Sequence, residues 1–247
     1  MFNLMKYEFR KSWKMKGFVL CFAAFFELAF LFGIFTMNED VWVIATTGLM
    51  LTTICGLFLI GVYGIHVLSK DINTKQSYML FMTPNSSYKI LGSKMLENGG
   101  SIFISGIFFS VLAVIDVIAL SARCDDIKGL LDMLNLIVSY RGYELNYKVF
   151  VLSIISLVTF WIFVTALGYL AVVLCATVLK GNRYNGVLSF ILFVIIAIFV
   201  DYIWDFMVGF IPRITWTQIV FTIFFYLLFT AIMYVITAWF MDNKLSV

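Results

Sequence analysis

The chain has 247 residues, 63% hydrophobic and 13% charged, with a formal net charge of +3 and a mean hydropathy of +1.02. A soluble domain carries about 25% charged residues, and here the apolar excess falls in long runs, so the class is an integral membrane protein. A membrane barrel would alternate in segments of about 10 residues, which this chain does not do.

Of the four cysteines, Cys21, Cys55 and Cys175 lie inside apolar runs and only Cys124 is loop-like, so no disulfide framework is expected. The first residues do not read as a cleavable signal. Five basic residues precede an apolar run longer than an h-region, with no small-residue cleavage site after it.

In chain order, residues 1–16 come first. Phe2, Met5, Phe9 and Trp13 recur on one stripe of a helix, with Lys6, Arg10 and Lys14 on a neighbouring face. This predicts an amphipathic helix in the inner headgroup layer, apolar side down. A plain basic anchor for the first span is the blander reading, and it puts the segment at the same surface.

The remainder, 17–247, reads as one transmembrane domain. About 20 mostly apolar residues cross a bilayer, and six stretches qualify: Gly17–Thr36, Val41–Ser69, Ser101–Ala122, Val149–Leu179, Val187–Val208 and Thr217–Phe240. The second and fourth are over-long, which predicts tilt or helix projecting from the bilayer. The fifth ends in "DYIWDFMVGFIPRITW", where a short span followed by a helix turning back is an alternative. The fold class is therefore all-α, with six transmembrane helices.

Orientation follows from lysine and arginine. With the N-terminus inside, the inner segments hold twelve of the 17 basic residues and the outer segments five. Both termini are then cytoplasmic, in a multi-pass protein of the cell membrane.

Between spans two and three lies "QSYMLFMTPNSSYKILGSK", whose apolar run Tyr78–Met82 is too short to cross a bilayer. Asn73 or Thr74 can cap a short helix there, and Pro84 ends it by excluding Thr83 from helical geometry. Asn85, Ser86 and Ser87 offer N-caps for the next helix. Burying the large apolar side chains is worth roughly 1.5–3 kcal/mol each, in headgroups or in a groove on a partner protein.

Catalytic chemistry is not evident. No G-x-x-x-x-G-K-[ST] loop is present, so this chain is not expected to cradle ATP itself. A lone His66 and scattered cysteines make neither a metal site nor a catalytic set. The reading is not an enzyme, with no catalytic residue, no bound metal or cofactor, and no nucleic-acid partner.

Two acids lie within spans. Glu27 is about 15 Å along span one from its inner end, and Asp116 lies in the outer third of span three. A mid-span charge costs about 2.5–3.5 kcal/mol on translocon scales, and such residues face a cavity or a partner. Glu27 either lines a pathway, binding a cationic group, or is a hydrogen-bonded helix-packing carboxyl. Gly48, Thr52 and Gly56 on span two, and Ser101 and Ser105 on span three, form faces of small residues for close helix contact, between subunits or within one. The outer loop places Ile127, Leu130, Leu131, Leu134 and Val138 on one helical stripe.

The "LMKYEFRKS" start, the six spans and "YMLFMTPNSSYKILGSK" together resemble the membrane subunit of a type-2 ABC exporter (the type V architecture). The resemblance in topology covers the whole chain. Its motifs are confined to Leu4–Lys16 and Tyr78–Lys94, with a weaker match at "WFMDNKLSV". It implies that Ser77, Tyr78, Met79, Leu80, Phe81 and Met82 form the coupling helix, docking in a groove of a separate ATPase. Phe2, Met5, Phe9 and Trp13 would mark the connecting helix. It also implies two ATPase subunits carrying ATP and Mg, and a second permease copy or a sister permease. The cargo expected is amphipathic or hydrophobic, such as cytolytic or antimicrobial peptides, with drugs or lipid-type substrates as the alternative. An ion-coupled carrier using Glu27 and Asp116 is the rival reading.

Overall fold

The computed structural model describes residues 2–73, 86–124, 147–178, 185–209 and 215–245. These form six long α-helices: α1 (Phe2–Thr36), α2 (Glu39–Asn73), α3 (Ser87–Cys124), α4 (Tyr147–Val178), α5 (Asn185–Val208) and α6 (Thr215–Phe240). One π-helical turn, Met241–Leu245, extends α6. All six helices are long and apolar enough to cross a membrane.

The expected spans thus recur as helices, most of them longer than the apolar stretch alone. The largest departure is at the N-terminus. Residues 2–16 form no separate element, because α1 runs unbroken from Phe2 through Gly17 to Thr36. A single glycine costs a helix interior about 1 kcal/mol, too little to break one anchored on both sides. Likewise α5 continues as one helix past Asp201 and Asp205 to Val208.

Local chemistry sets the ends. After α1, Met37 takes a left-handed backbone (φ 54°), and the Asn38 amide donates to the Gly33 carbonyl at 3.1 Å. The Asn38 carbonyl then accepts from the Trp42 amide at 3.3 Å, and Glu39 and Asp40 occupy the favourable first turn of α2. At the start of α3 the Ser86 carbonyl accepts from Lys89 and Ile90, which makes Ser86 the cap. Within the apolar helices the hydroxyls bond back to the preceding turn. Thr46 donates to Trp42 O at 2.7 Å, Thr52 to Gly48 O at 2.8 Å and Thr237 to Met233 O at 2.6 Å. Hydroxyls so satisfied are compatible with hydrocarbon surroundings.

The helices divide into two compact units. The first comprises residues 1–12, 61–100 and 151–247. Its core packs Leu68 and Ile72 with Leu91, Tyr169, Val172, Val173, Ala238 and Met241. A second cluster joins Phe163, Leu167, Val200, Phe225 and Met233. In α4, 61% of the most apolar window is buried, against 28% or less in every other helix, so α4 is the most deeply buried of the six. The second unit, residues 13–60 and 101–150, is built on Phe30, Ile34, Ala45 and Leu49. Phe22, Phe25, Leu28, Phe32 and Phe35 are left exposed along α1, a surface suited to lipid rather than water.

Candidate functional site

In the first unit the feature that stands apart from apolar packing is a chain of charges. Glu8, Lys11 and Ser12 fall at i, i+3 and i+4 on α1, hence on one face. Lys94, Glu97 and Asn98 repeat that spacing on α3, and Asp71 stands in the last turn of α2. Lys94 Nζ lies 2.6 Å from Glu8 Oε1 and 2.6 Å from Asp71 Oδ2. The other Asp71 oxygen pairs with Lys11. Signs alternate along Lys11–Asp71–Lys94–Glu8, so the chain of four is formally neutral.

Burial makes this arrangement consequential. Glu8 is 5% exposed, Asp71 3% and Lys94 3%. A buried ion is tolerable only when its partners and hydrogen bonds are supplied, and removing one partner leaves a charge uncompensated. Neighbouring bonds fix the frame. Ser12 Oγ donates to Glu97 Oε1 at 2.8 Å and Asn98 Nδ2 donates to the Gly61 carbonyl at 3.2 Å. From α4 the Tyr169 hydroxyl donates to the Lys94 carbonyl at 3.4 Å, and from α6 the Tyr234 hydroxyl donates to the Tyr88 carbonyl at 2.6 Å. Gly64 lets Asn98 approach α2, since a β-carbon there would overlap the Asn98 amide.

The cluster therefore ties three helix ends together. Asp71 is two residues before the end of α2 and Lys94 is seven residues into α3. The segment between those helices, 74–85, contains the expected docking residues Ser77, Tyr78, Met79, Leu80, Phe81 and Met82, which lie outside the described residues. What is described is the pair of stems on either side, clamped to each other and to α1.

Of the expected connecting-helix stripe, Met5 is half-buried, while Phe9 and Trp13 are 38% and 55% exposed. The inward face of this segment is instead the polar one, carrying Glu8 and Ser12. Charge matching could have revealed it in the sequence. Glu8 is the one acid before Glu27, and an acid placed among five basic residues needs a reason.

In the second unit Glu27 of α1 and Asp116 of α3 are neighbours, their carboxyls close enough to exchange a hydrogen bond when one holds a proton. Glu27 Oε2 and Asp116 Oδ1 are both buried without a hydrogen-bond partner. The sequence placed each acid in its span but did not pair them. The face of small residues on α2 is used within the chain. A β-carbon at Gly48 would overlap the Phe26 ring, and one at Gly56 would come within 2.6 Å of Val19. On α3, Ser101 is buried and Ser105 half-buried. His66 packs beside Tyr63, ring centroids 6.2 Å apart. Among the described residues no group of three or more His, Cys, Asp or Glu could hold a metal ion. Comparison with family models, curated proteins and solved structures finds no match.

Proposed function

We propose that the chain is the membrane-spanning permease subunit of an ATP-driven exporter of the type V ABC architecture. In this reading it is a multi-pass protein of the cell membrane with both termini cytoplasmic, working as a dimer with two separate ATPase subunits. The single observation that carries the proposal is the buried Lys94 bridge between Glu8 and Asp71. A loop that takes mechanical work must pass it to the helices rather than absorb it. Clamping the α2 and α3 stems to each other and to the N-terminal turns of α1 makes the three helix ends respond together. A push on Tyr78–Met82 is then delivered to the bundle.

Cargo is inferred from surroundings. An aromatic-rich apolar bundle suits amphipathic or hydrophobic molecules, such as cytolytic or antimicrobial peptides, which partition from the bilayer. ATP and Mg belong to the partner subunit.

The test pairs the chain with a candidate ABC ATPase subunit from the same genome. Wild-type chain is expected to co-purify with it and to make its ATP hydrolysis cargo-dependent. Phe81→Asp is expected to insert normally but to lose both, because a charge in an apolar groove has no partner and meets desolvation. Unchanged co-purification and stimulation in that variant would remove the coupling-helix assignment.

A second reading, an ion-coupled carrier, is favoured by the adjacency of Glu27 and Asp116. Intramembrane carboxyls mark proton and ion pathways. Transport driven by an imposed ion gradient without ATP, and lost in Glu27→Gln, would support it over the exporter.

A further inference from the structure

The inward commitment of Glu8 has a consequence for the opposite side of α1. Glu8 is the one acid in the first 26 residues, and it is turned into the bundle and neutralised by Lys94. Lys6, Arg10 and Lys14, at i, i+4 and i+8, are all exposed and lie along one side of the helix. Tyr7, 62% exposed, flanks them on one edge, and Phe9 and Trp13 on the other. The outer face is thus cationic and aromatic, and among the described residues no ion pair offsets Lys6, Arg10 or Lys14.

Continuity of the helix fixes its level. The 20-residue apolar stretch begins at Gly17, and at 1.5 Å per residue Trp13 and Lys14 stand roughly 5–6 Å beyond it. Each polar headgroup layer is roughly 5–8 Å thick, half the difference between a bilayer of about 40–45 Å and its core of about 30 Å. Arg10, roughly 10 Å out, reaches back with a long side chain, and Lys6 lies within about two Debye lengths. Tryptophan and tyrosine favour this layer because one end of the ring system is apolar and the other polar.

We propose that the Lys6–Arg10–Lys14 face of α1 binds the phosphate headgroups of anionic phospholipids, selecting them over zwitterionic ones at the surface where the chain enters the bilayer. This rests on the membrane-spanning reading alone and is independent of the exporter assignment. The basic excess of the inner segments assigns the face to the cytoplasmic leaflet, where anionic lipids concentrate.

The test places the full chain in phosphatidylcholine vesicles containing phosphatidylglycerol, with bromines on one lipid or the other at equal mole fraction. Quenching specific to Trp13 is the difference between wild type and Trp13→Phe. Brominated phosphatidylglycerol is expected to quench it more, with local enrichment of roughly fivefold per cation engaged. The preference is expected to vanish in Lys6→Gln/Arg10→Gln/Lys14→Gln and to fall in 1 M salt. These three side chains are exposed, so the triple variant should melt like wild type, and Lys14→Gln alone gives a milder step in the same direction. Equal quenching by both lipids overturns the proposal. Quenching of Trp13 by aqueous iodide but by neither lipid also overturns it, and assigns the face to water or to a protein partner.

Discussion

Lys94 of α3 and Asp71 of α2 meet at 2.6 Å with both side chains almost fully buried, and Glu8 of α1 closes on the same ammonium at 2.6 Å. One cation so shared by two carboxylates makes a sharp stability prediction. Lys94→Met should lower stability by about 3–5 kcal/mol, because two buried carboxylates lose their common partner. Lys94→Met/Glu8→Gln should regain part of that loss by removing the stranded Glu8 charge, while Asp71 keeps Lys11. Detergent melting curves of the three proteins decide it. A single variant as stable as wild type would mean the cluster is hydrated.

Gly48 and Gly56 seat α1 side chains on α2. Gly48→Ala should cost about 1–3 kcal/mol by forcing the Phe26 ring aside. At Gly17 and Gly100 nothing stands within 4 Å of an added β-carbon, so alanine there should stabilise by roughly 0.4–1 kcal/mol. Melting and cross-linked dimer yield are read together. Loss of dimer at unchanged protomer stability in Gly48→Ala would reassign the face to a subunit contact.

For Glu27 and Asp116 the expectation is coupling. Glu27→Leu should destabilise by roughly 1–3 kcal/mol, leaving Asp116 without its polar neighbour, while Glu27→Gln keeps a hydrogen bond and costs less. In the double variant Glu27→Leu/Asp116→Leu the losses should fall short of additive by about 0.6 kcal/mol, the mean for polar pairs between membrane helices, and by no more than about 1.7 kcal/mol. Strict additivity across the double-mutant cycle would separate the two acids energetically.

Met37 holds a left-handed backbone at the α1–α2 turn, a position where a side chain costs roughly 1–2 kcal/mol and glycine does not. Met37→Gly should raise the melting temperature, and Met37→Val should lower it because a branched β-carbon tolerates this region least. Equal melting of both variants would show that the turn relaxes.

Topology is checked by labelling in a background without the native cysteines. A cysteine at Ser77 should react only from the cytoplasmic side and one at Asn135 only from outside. The reverse at either position would overturn the orientation drawn from twelve inner against five outer basic residues.

Helix number and approximate span limits were legible in the sequence because an apolar run of about 20 residues is a local property, whereas the cap of α3 was narrowed from Asn85, Ser86 and Ser87 to Ser86 only by the backbone hydrogen bonds. The unbroken course of α1 was not legible. Its basic, amphipathic first turns read equally well as an interfacial helix, and the anchoring contacts of Glu8 and Ser12 come from α3. Which residues meet was decided only in three dimensions. Glu8 finds Lys94 and Glu27 neighbours Asp116 because distant segments pack side by side, and in low-dielectric surroundings a charge is tolerated by its partners rather than by its position in the chain. Periodicity names the face a residue occupies, and only tertiary packing determines whether that face turns inward.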